Sequence, residues 1–405
     1  MKSFFSEILV RKYFLLVFLL FQLGLYSKAQ VAEREMPIIA YWGIPENNTT
    51  DTNFQDFKEC GFTTSLFPYS SLNALKNACR VAERHGVKVL GNCPEIATSP
   101  QKTATTLKDE KGFFGYFMQD EPNVQEIQLR HKEIERLKSI DNSHYFYINL
   151  HPYYETDPKR FYAIAKVNTY PEYLKIASQG PCQQISFDYY PITKAGMRET
   201  WYNNLEMVRD QSLSTGKPFW GFALSVPHNH YPAPTLSSLR LQIYSNLAYG
   251  AQAIQYFTYW TPGKNPLYDF HDAPIGTNGK KTKTYALVKQ MNNELKSVAK
   301  LFYGAKVFSV RHFGVVPEGT TRLEYAPLNI KSLRISSKMG AIVSQFEKDN
   351  HYYLAIVNKD YKKAMTIYIE AKNAAPRRIT KTLKEEAMSS SYKVEPGDIL
   401  LFKLI

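Results

Sequence analysis

The sequence predicts an α/β fold: a (β/α)8 TIM barrel followed by a C-terminal antiparallel β-sandwich. Three observations carry this reading. Eight short apolar runs alternate with helical stretches between residues 37 and 257. The runs are apolar nearly throughout, as parallel strands buried on both faces are. After residue 305 short strand-like runs follow one another with no helical pattern between them. Eight β/α units within about 270 residues favour a closed barrel over an open doubly wound sheet. No glycine-rich phosphate loop follows the first run, which argues against a dinucleotide-binding fold.

The elements follow in order. Lys2, Arg11 and Lys12 precede an apolar run at 13–23, and Ser27-Lys28-Ala29 supplies small residues before Gln30. This is the pattern of a cleavable signal peptide over residues 1–29, so the mature chain is expected to be soluble and secreted or periplasmic. The run is too short for a comfortable membrane span of about 20 residues. The barrel, expected over 30–304, begins with the run 37–42, closed by Gly43. A helical segment at 53–60 leads to the second run, 62–67, and a helix at 71–85 with Gly86 as its C-cap leads to the third, 87–91. The fourth run is 112–118 and the fifth 145–150, with a long amphipathic helix at 124–140 between them. The sixth is 184–188, the seventh 218–223 and the eighth 253–257, the last two separated by a helix at 236–249. Residues 305–405 then hold short runs parted by turn signals such as Glu395-Pro396-Gly397-Asp398, which suits a sandwich.

Composition narrows the function. The chain has 405 residues, 44% of them hydrophobic and 14% aromatic, which excludes disorder and repeats and suits a protein that stacks on sugar rings or fills a large barrel core. The net charge of +13 has its surplus mainly in the first 29 residues and beyond residue 300. Without a Lys/Arg cluster this does not point to nucleic acid; an acidic glycan or an anionic surface fits it. The four cysteines, Cys60, Cys79, Cys93 and Cys182, show no metal spacing. Cys60 and Cys79, on consecutive helices, are the pair best placed for a disulfide, against buried free thiols.

In a (β/α)8 barrel the active site lies at the C-terminal ends of the strands. Strand four ends in Gln119-Asp120-Glu121-Pro122, two adjacent carboxylates after a buried strand. Desolvation and mutual repulsion there raise one pKa, as a general acid at neutral pH requires. Either residue can instead cap the helix that begins near Asn123. Strand one offers Trp42, strand five Asn149 and His151, and strand six Asp188 and Tyr190. Strand seven is followed by His228 and His230, and strand eight by Tyr259 and Trp260. The two histidines lack a third ligand, so no metal or other cofactor is expected. No Gly-x-Ser-x-Gly elbow is present.

Asp120-Glu121-Pro122 resembles the strand-four signature of the clan A glycoside hydrolases, in which Asn-Glu-Pro carries the acid/base glutamate on a barrel of this layout. Tyr259-Trp260 is similar to that clan's sugar-platform aromatic. The resemblance implies that Glu121 protonates the leaving-group oxygen and that Asp120 replaces the clan's asparagine. It also implies a nucleophilic glutamate at the end of strand seven, where Phe222-Ala223-Leu224-Ser225 carries no carboxylate. Asp188 is the expected second carboxylate, with Glu95 and Asp269 as further candidates. Its separation from Glu121 is expected in the longer range, about 6.5–9.5 Å, that admits an inverting water.

The expected function is therefore a glycoside hydrolase acting on a poly- or oligosaccharide, an acidic one included. Glu121 and Asp188 are catalytic. Trp42, Asp120, Asn149, His151, Tyr190, His228, Tyr259 and Trp260 bind the sugar, with Trp42 and Trp260 bordering one pocket. A non-catalytic glycan-binding barrel is the first rival, and a polysaccharide lyase the second.

Overall fold

The computed structural model describes residues 35–372 and 375–404. The signal peptide expected over 1–29 lies outside the described residues. The eight apolar runs form one closed parallel barrel: Ile38–Tyr41, Thr64–Pro68, Lys88–Asn92, Phe113–Asp120, Tyr145–Leu150, Ile185–Phe187, Phe219–Leu224 and Ala253–Phe257, here strands one to eight. Strand one pairs with both strand two and strand eight, which closes the ring. A two-stranded ribbon, Ile192–Thr193 with Gly196–Met197, follows strand six above the barrel.

Alternation along the strands sorts the core into two layers. In strand one Ile39 and Tyr41 point into the barrel, where they meet Leu66, Leu90, Tyr147, Trp220 and Phe222. Ile38 and Ala40 face outward and join the layer between strands and helices. Strand seven shows how tightly the helical layer sits. A Cβ on Gly221 would come 2.0 Å from Asn246 Oδ1, and Asn246 Nδ2 donates to the Phe222 carbonyl at 3.1 Å. Only glycine admits the Leu236–Tyr249 helix at that distance.

Beyond the barrel lie two antiparallel sheets. One has six strands, including Lys306–Gly314, Gly340–Lys348, His351–Asn358 and Ile399–Leu404; the other has three, Ile330–Ile335, Met365–Ala371 and Ser391–Val394. Val343, Leu354, Ile356, Ile367 and Phe402 fill the space between them, the core of a sandwich. The strand Ser391–Val394 escaped the sequence reading because its Ser-Tyr-Lys-Val carries little apolar signal. The other face of the large sheet packs on the Leu236–Tyr249 helix, where Ser344 Oγ donates to the Ala248 carbonyl. All four cysteines are buried free thiols, so Cys60 and Cys79 are not paired.

Lys359 is buried in this region at 2% exposure, beside His312 at 3.4 Å and donating to the Val315 carbonyl. Burial, helped by the charge of Arg322, brings its ammonium down to about 7. The unfolded chain, holding an ordinary lysine, therefore binds more protons than the folded one between about pH 7 and 10.5, and stability rises with pH across that window. Lys359→Met is expected to stabilise the protein by on the order of a few kcal/mol at about pH 6 and by much less at about pH 10. Urea melts at the two values check this, and an equal gain at both contradicts it.

Candidate active site

Strand four carries its carboxylates to the barrel mouth through two local features. Its pairing with strand five slips between Phe117 and Gln119, so Met118 forms a bulge that re-aims the following residues. The strand ends at Asp120, and Glu121 takes a left-handed backbone with φ 43°. A non-glycine residue there is strained, and the hydrogen bond from Glu121 N to the Asn149 carbonyl at 2.8 Å holds it. Helix capping does not occupy either carboxylate. Asn123 caps the Val124–Lys138 helix, accepting from Gln125 N and Glu126 N, while Glu126 reaches back to Asn123 N.

Asp120, Glu121 and Asp188 all line one cavity of about 530 Å³ at the strands' C-terminal ends. Strict alternation would have sent only one of the first two toward the barrel axis. The left-handed turn at Glu121 breaks that alternation, so both face the cavity. Asn149 ties the floor together. Its Nδ2 donates to Asp120 Oδ1 at 3.0 Å and to Asp188 Oδ1 at 2.8 Å. Sharing one amide nitrogen, the two carboxylate oxygens lie less than about 6 Å apart. Ser186 Oγ fixes the amide by donating to Asn149 Oδ1 at 3.0 Å, and Gln255 Nε2 in turn donates to Ser186 Oγ at 2.9 Å.

This arrangement sets the charges. Burial, then the charges of Glu121 and Asp120, push the Asp188 carboxyl well above the usual carboxylate range. Asp120 is open to the cavity but ringed by protein, and burial followed by the charge of Glu121 raises it too. Tyr41 against Asp120 and Tyr190 against Asp188 oppose these shifts without cancelling them. The Asp120–Asp188 pair therefore retains a proton under conditions in which isolated carboxyls lose theirs. Glu121 sits higher, its side chain 39% exposed, with His151 Nδ1 3.6 Å from its Oε2.

The structure gathers Glu121, Asp188, Asp120, Asn149, His151, Tyr190 and His228 around this cavity. His228 is buried, donates Nδ1–H to the Val226 carbonyl, and is held below the ordinary histidine range by burial. Three expected aromatics lie elsewhere. Trp42, also left-handed at φ 56°, packs on Phe67 with ring centroids 4.9 Å apart. Tyr259 turns into the helical layer, edge-on to Phe57 at 4.8 Å and to Phe62 at 5.4 Å. Trp260 is 4% exposed beneath the loop that follows strand eight, with Gly279 against its ring. Trp42 and Trp260 touch through their backbones, Trp260 N donating to the Trp42 carbonyl at 3.1 Å, but neither borders the cavity. Glu95 accepts from Leu72 N at 3.0 Å and Asp269 from Asn229 N, and neither lines the cavity.

Other aromatics make the walls. Tyr190 stacks on Phe257 at 5.7 Å, and Tyr268 stacks on Phe270 at 5.2 Å. Tyr154, Phe222 and Tyr231 complete them, and Arg198 lies against Tyr154. The segment Tyr268-Asp269-Phe270-His271, two aromatics in a polar loop after strand eight, is a sequence signal that could have marked this wall. Arg198 had none.

Comparison with known proteins bears on the fold. The model of glycoside hydrolase family 42, described as beta-galactosidase, matches residues 123–298. No curated protein matches the sequence. A GH42 beta-galactosidase from G. stearothermophilus superposes with a TM-score of 0.62 at 8% identity, covering 92% of this chain and 98% of that one. The beta-galactosidase from Bacillus circulans sp. alkalophilus gives 0.61 at 9% identity, covering 92% and 99%. A family 39 glycoside hydrolase from Bacteroides cellulosilyticus WH2 gives 0.50 at 11% identity, covering 92% and 81%. The likeness lies in the fold: the chain has a TIM barrel similar to that of these glycoside hydrolases, with β-rich sheets following it, and the family 42 match begins just after Asp120-Glu121-Pro122.

Proposed function

We propose that the protein is an exported glycoside hydrolase that cleaves a poly- or oligosaccharide with Glu121 and Asp188 as its working carboxyls. One observation carries the reading. Three strand-end carboxylates, two of them bridged by a single buried amide, face one aromatic-walled cavity at the C-terminal end of the barrel.

Hydrolysis of a glycosidic bond needs one carboxyl that holds a proton for the departing oxygen and one ionised carboxylate facing the anomeric carbon or a water. The surroundings of Asp188 supply the first, since burial and two neighbouring negative charges keep its proton on. Glu121, half-exposed over the cavity, is the second carboxyl of the pair. This division reverses the one that the strand-four resemblance implies, and it dispenses with a strand-seven carboxylate. Strand seven is followed instead by Ser225, whose Oγ is buried and donates to the Thr258 carbonyl. Asn149 and Asp120 position Asp188, and Tyr190, Phe257 and Phe270 offer ring faces to the sugar.

The test is direct. Purified protein, incubated with neutral and acidic polysaccharides, is expected to release reducing ends that accumulate with time. Sugar binding without release favours the non-catalytic barrel, and products absorbing in the near ultraviolet favour a lyase.

A further inference from the structure

Resting on the hydrolase reading, we infer that the sugar bound in this cavity carries an anionic group, a carboxylate or a sulfate ester, which Arg198 recognises. Arg198 follows the ribbon after strand six and forms part of the cavity wall. Its guanidinium is held in place before any ligand arrives. It lies over the Tyr154 ring, 4.2 Å from the centroid, and Nη2 donates to His230 Nε2 at 3.1 Å and to the Tyr231 hydroxyl at 3.3 Å.

These contacts position the charge without neutralising it. Both acceptors are uncharged groups, Nε is buried with no acceptor, and Nη1 has no partner among the described residues. No carboxylate pairs with Arg198 among the described residues, although elsewhere in the molecule arginines of similar burial have one, as Arg240 has Glu294 at 2.6 Å. A partly buried cation left without a counter-ion is costly, and arginine in that state suits a planar anion.

The surroundings strengthen the case. Lys194, on the turn of the same ribbon, extends to the Asn229 carbonyl at 2.6 Å, on the same side as His230. Burial, then the charges of Arg198 and Lys194, hold His230 below its ordinary range, so the imidazole is a neutral acceptor for Arg198 and this wall is electropositive. Four carboxylates line the cavity: Asp120, Glu121 and Asp188 at the strand ends, and Glu155, whose Oε1 accepts from Asp157 N at 2.9 Å and which makes no ion pair with Arg198 among the described residues. A sugar that sets its anomeric carbon by the strand-end carboxylates and an acidic substituent against Arg198 satisfies both ends. A neutral sugar leaves the guanidinium unpaired.

The experiment is calorimetric titration of the wild-type protein with matched pairs: galacturonate and galactose, glucuronate and glucose, galactose 6-sulfate and galactose. One anionic member is expected to bind roughly ten- to hundredfold tighter than its neutral parent, the worth of a charge-assisted hydrogen bond. Which member does so separates carboxylate from sulfate. Arg198→Met is expected to abolish the preference while leaving neutral-sugar affinity unchanged, and Arg198→Lys to keep part of it. Equal binding of the pairs, or none, overturns the inference, as does a preference that survives Arg198→Met. Protein that cleaves a neutral glycan yet shows no anionic preference overturns this inference alone. Protein that prefers the anionic sugar but cleaves no glycosidic bond overturns the hydrolase reading alone.

Discussion

Glu121→Gln is expected to lower kcat/KM on a natural glycan by about 10²–10⁴-fold, the usual worth of a positioned acid or base. The change is isosteric, and among the described residues the side chain makes no hydrogen bond that holds the fold; the hydrogen bond that secures the turn comes from its backbone nitrogen to the Asn149 carbonyl. Thermal stability and sugar binding should therefore remain near wild type, and the loss should appear in kcat rather than KM. A change in KM with kcat intact would mean that Glu121 only binds the sugar. Wild-type turnover by the variant would remove Glu121 from the chemistry.

How far the sequence reaches differs between fold and site. Each barrel strand is an apolar run of a few residues buried on both faces, and that pattern depends on local composition alone; Tyr145–Leu150 and Ala253–Phe257 fall where the sequence places them. Residues at or just past the strand ends, Asp120, Glu121, Asn149 and Asp188, were legible for the same reason, since the barrel carries every strand end to one mouth. What was hidden depends on backbone direction after the strand. Two turns decide it. At Glu121 a left-handed residue keeps a second carboxylate over the cavity, whereas beyond Phe257 the chain turns Tyr259 and Trp260 into the packing layer. Neither turn has a signature in residue type. Arg198 and Tyr231 were hidden more deeply, because their positions come from loops whose course is set by contacts with each other, such as the Arg198–Tyr231 hydrogen bond.

Asp188→Asn should be as damaging as Glu121→Gln on a natural glycan, about 10²–10⁴-fold, and its signature is dependence on the leaving group. A sugar alkoxide departs only when it takes up a proton, whereas dinitrophenolate or fluoride departs without one. If Asp188 holds the proton, Asp188→Asn recovers to within roughly tenfold of wild type on a dinitrophenyl glycoside, while Glu121→Gln stays impaired on both substrates. The pH profile gives a second reading. Because burial and the charges of Glu121 and Asp120 raise the Asp188 carboxyl, the alkaline limb of wild-type kcat/KM should lie above the usual carboxylate range. On the activated substrate, Asp188→Asn should lose that limb. The substitution preserves volume and keeps an oxygen to accept from Asn149, so the floor stays assembled. Recovery in Glu121→Gln instead would return the acid to Glu121, as the strand-four resemblance implies, and leave Asp188 as the carboxylate across from it.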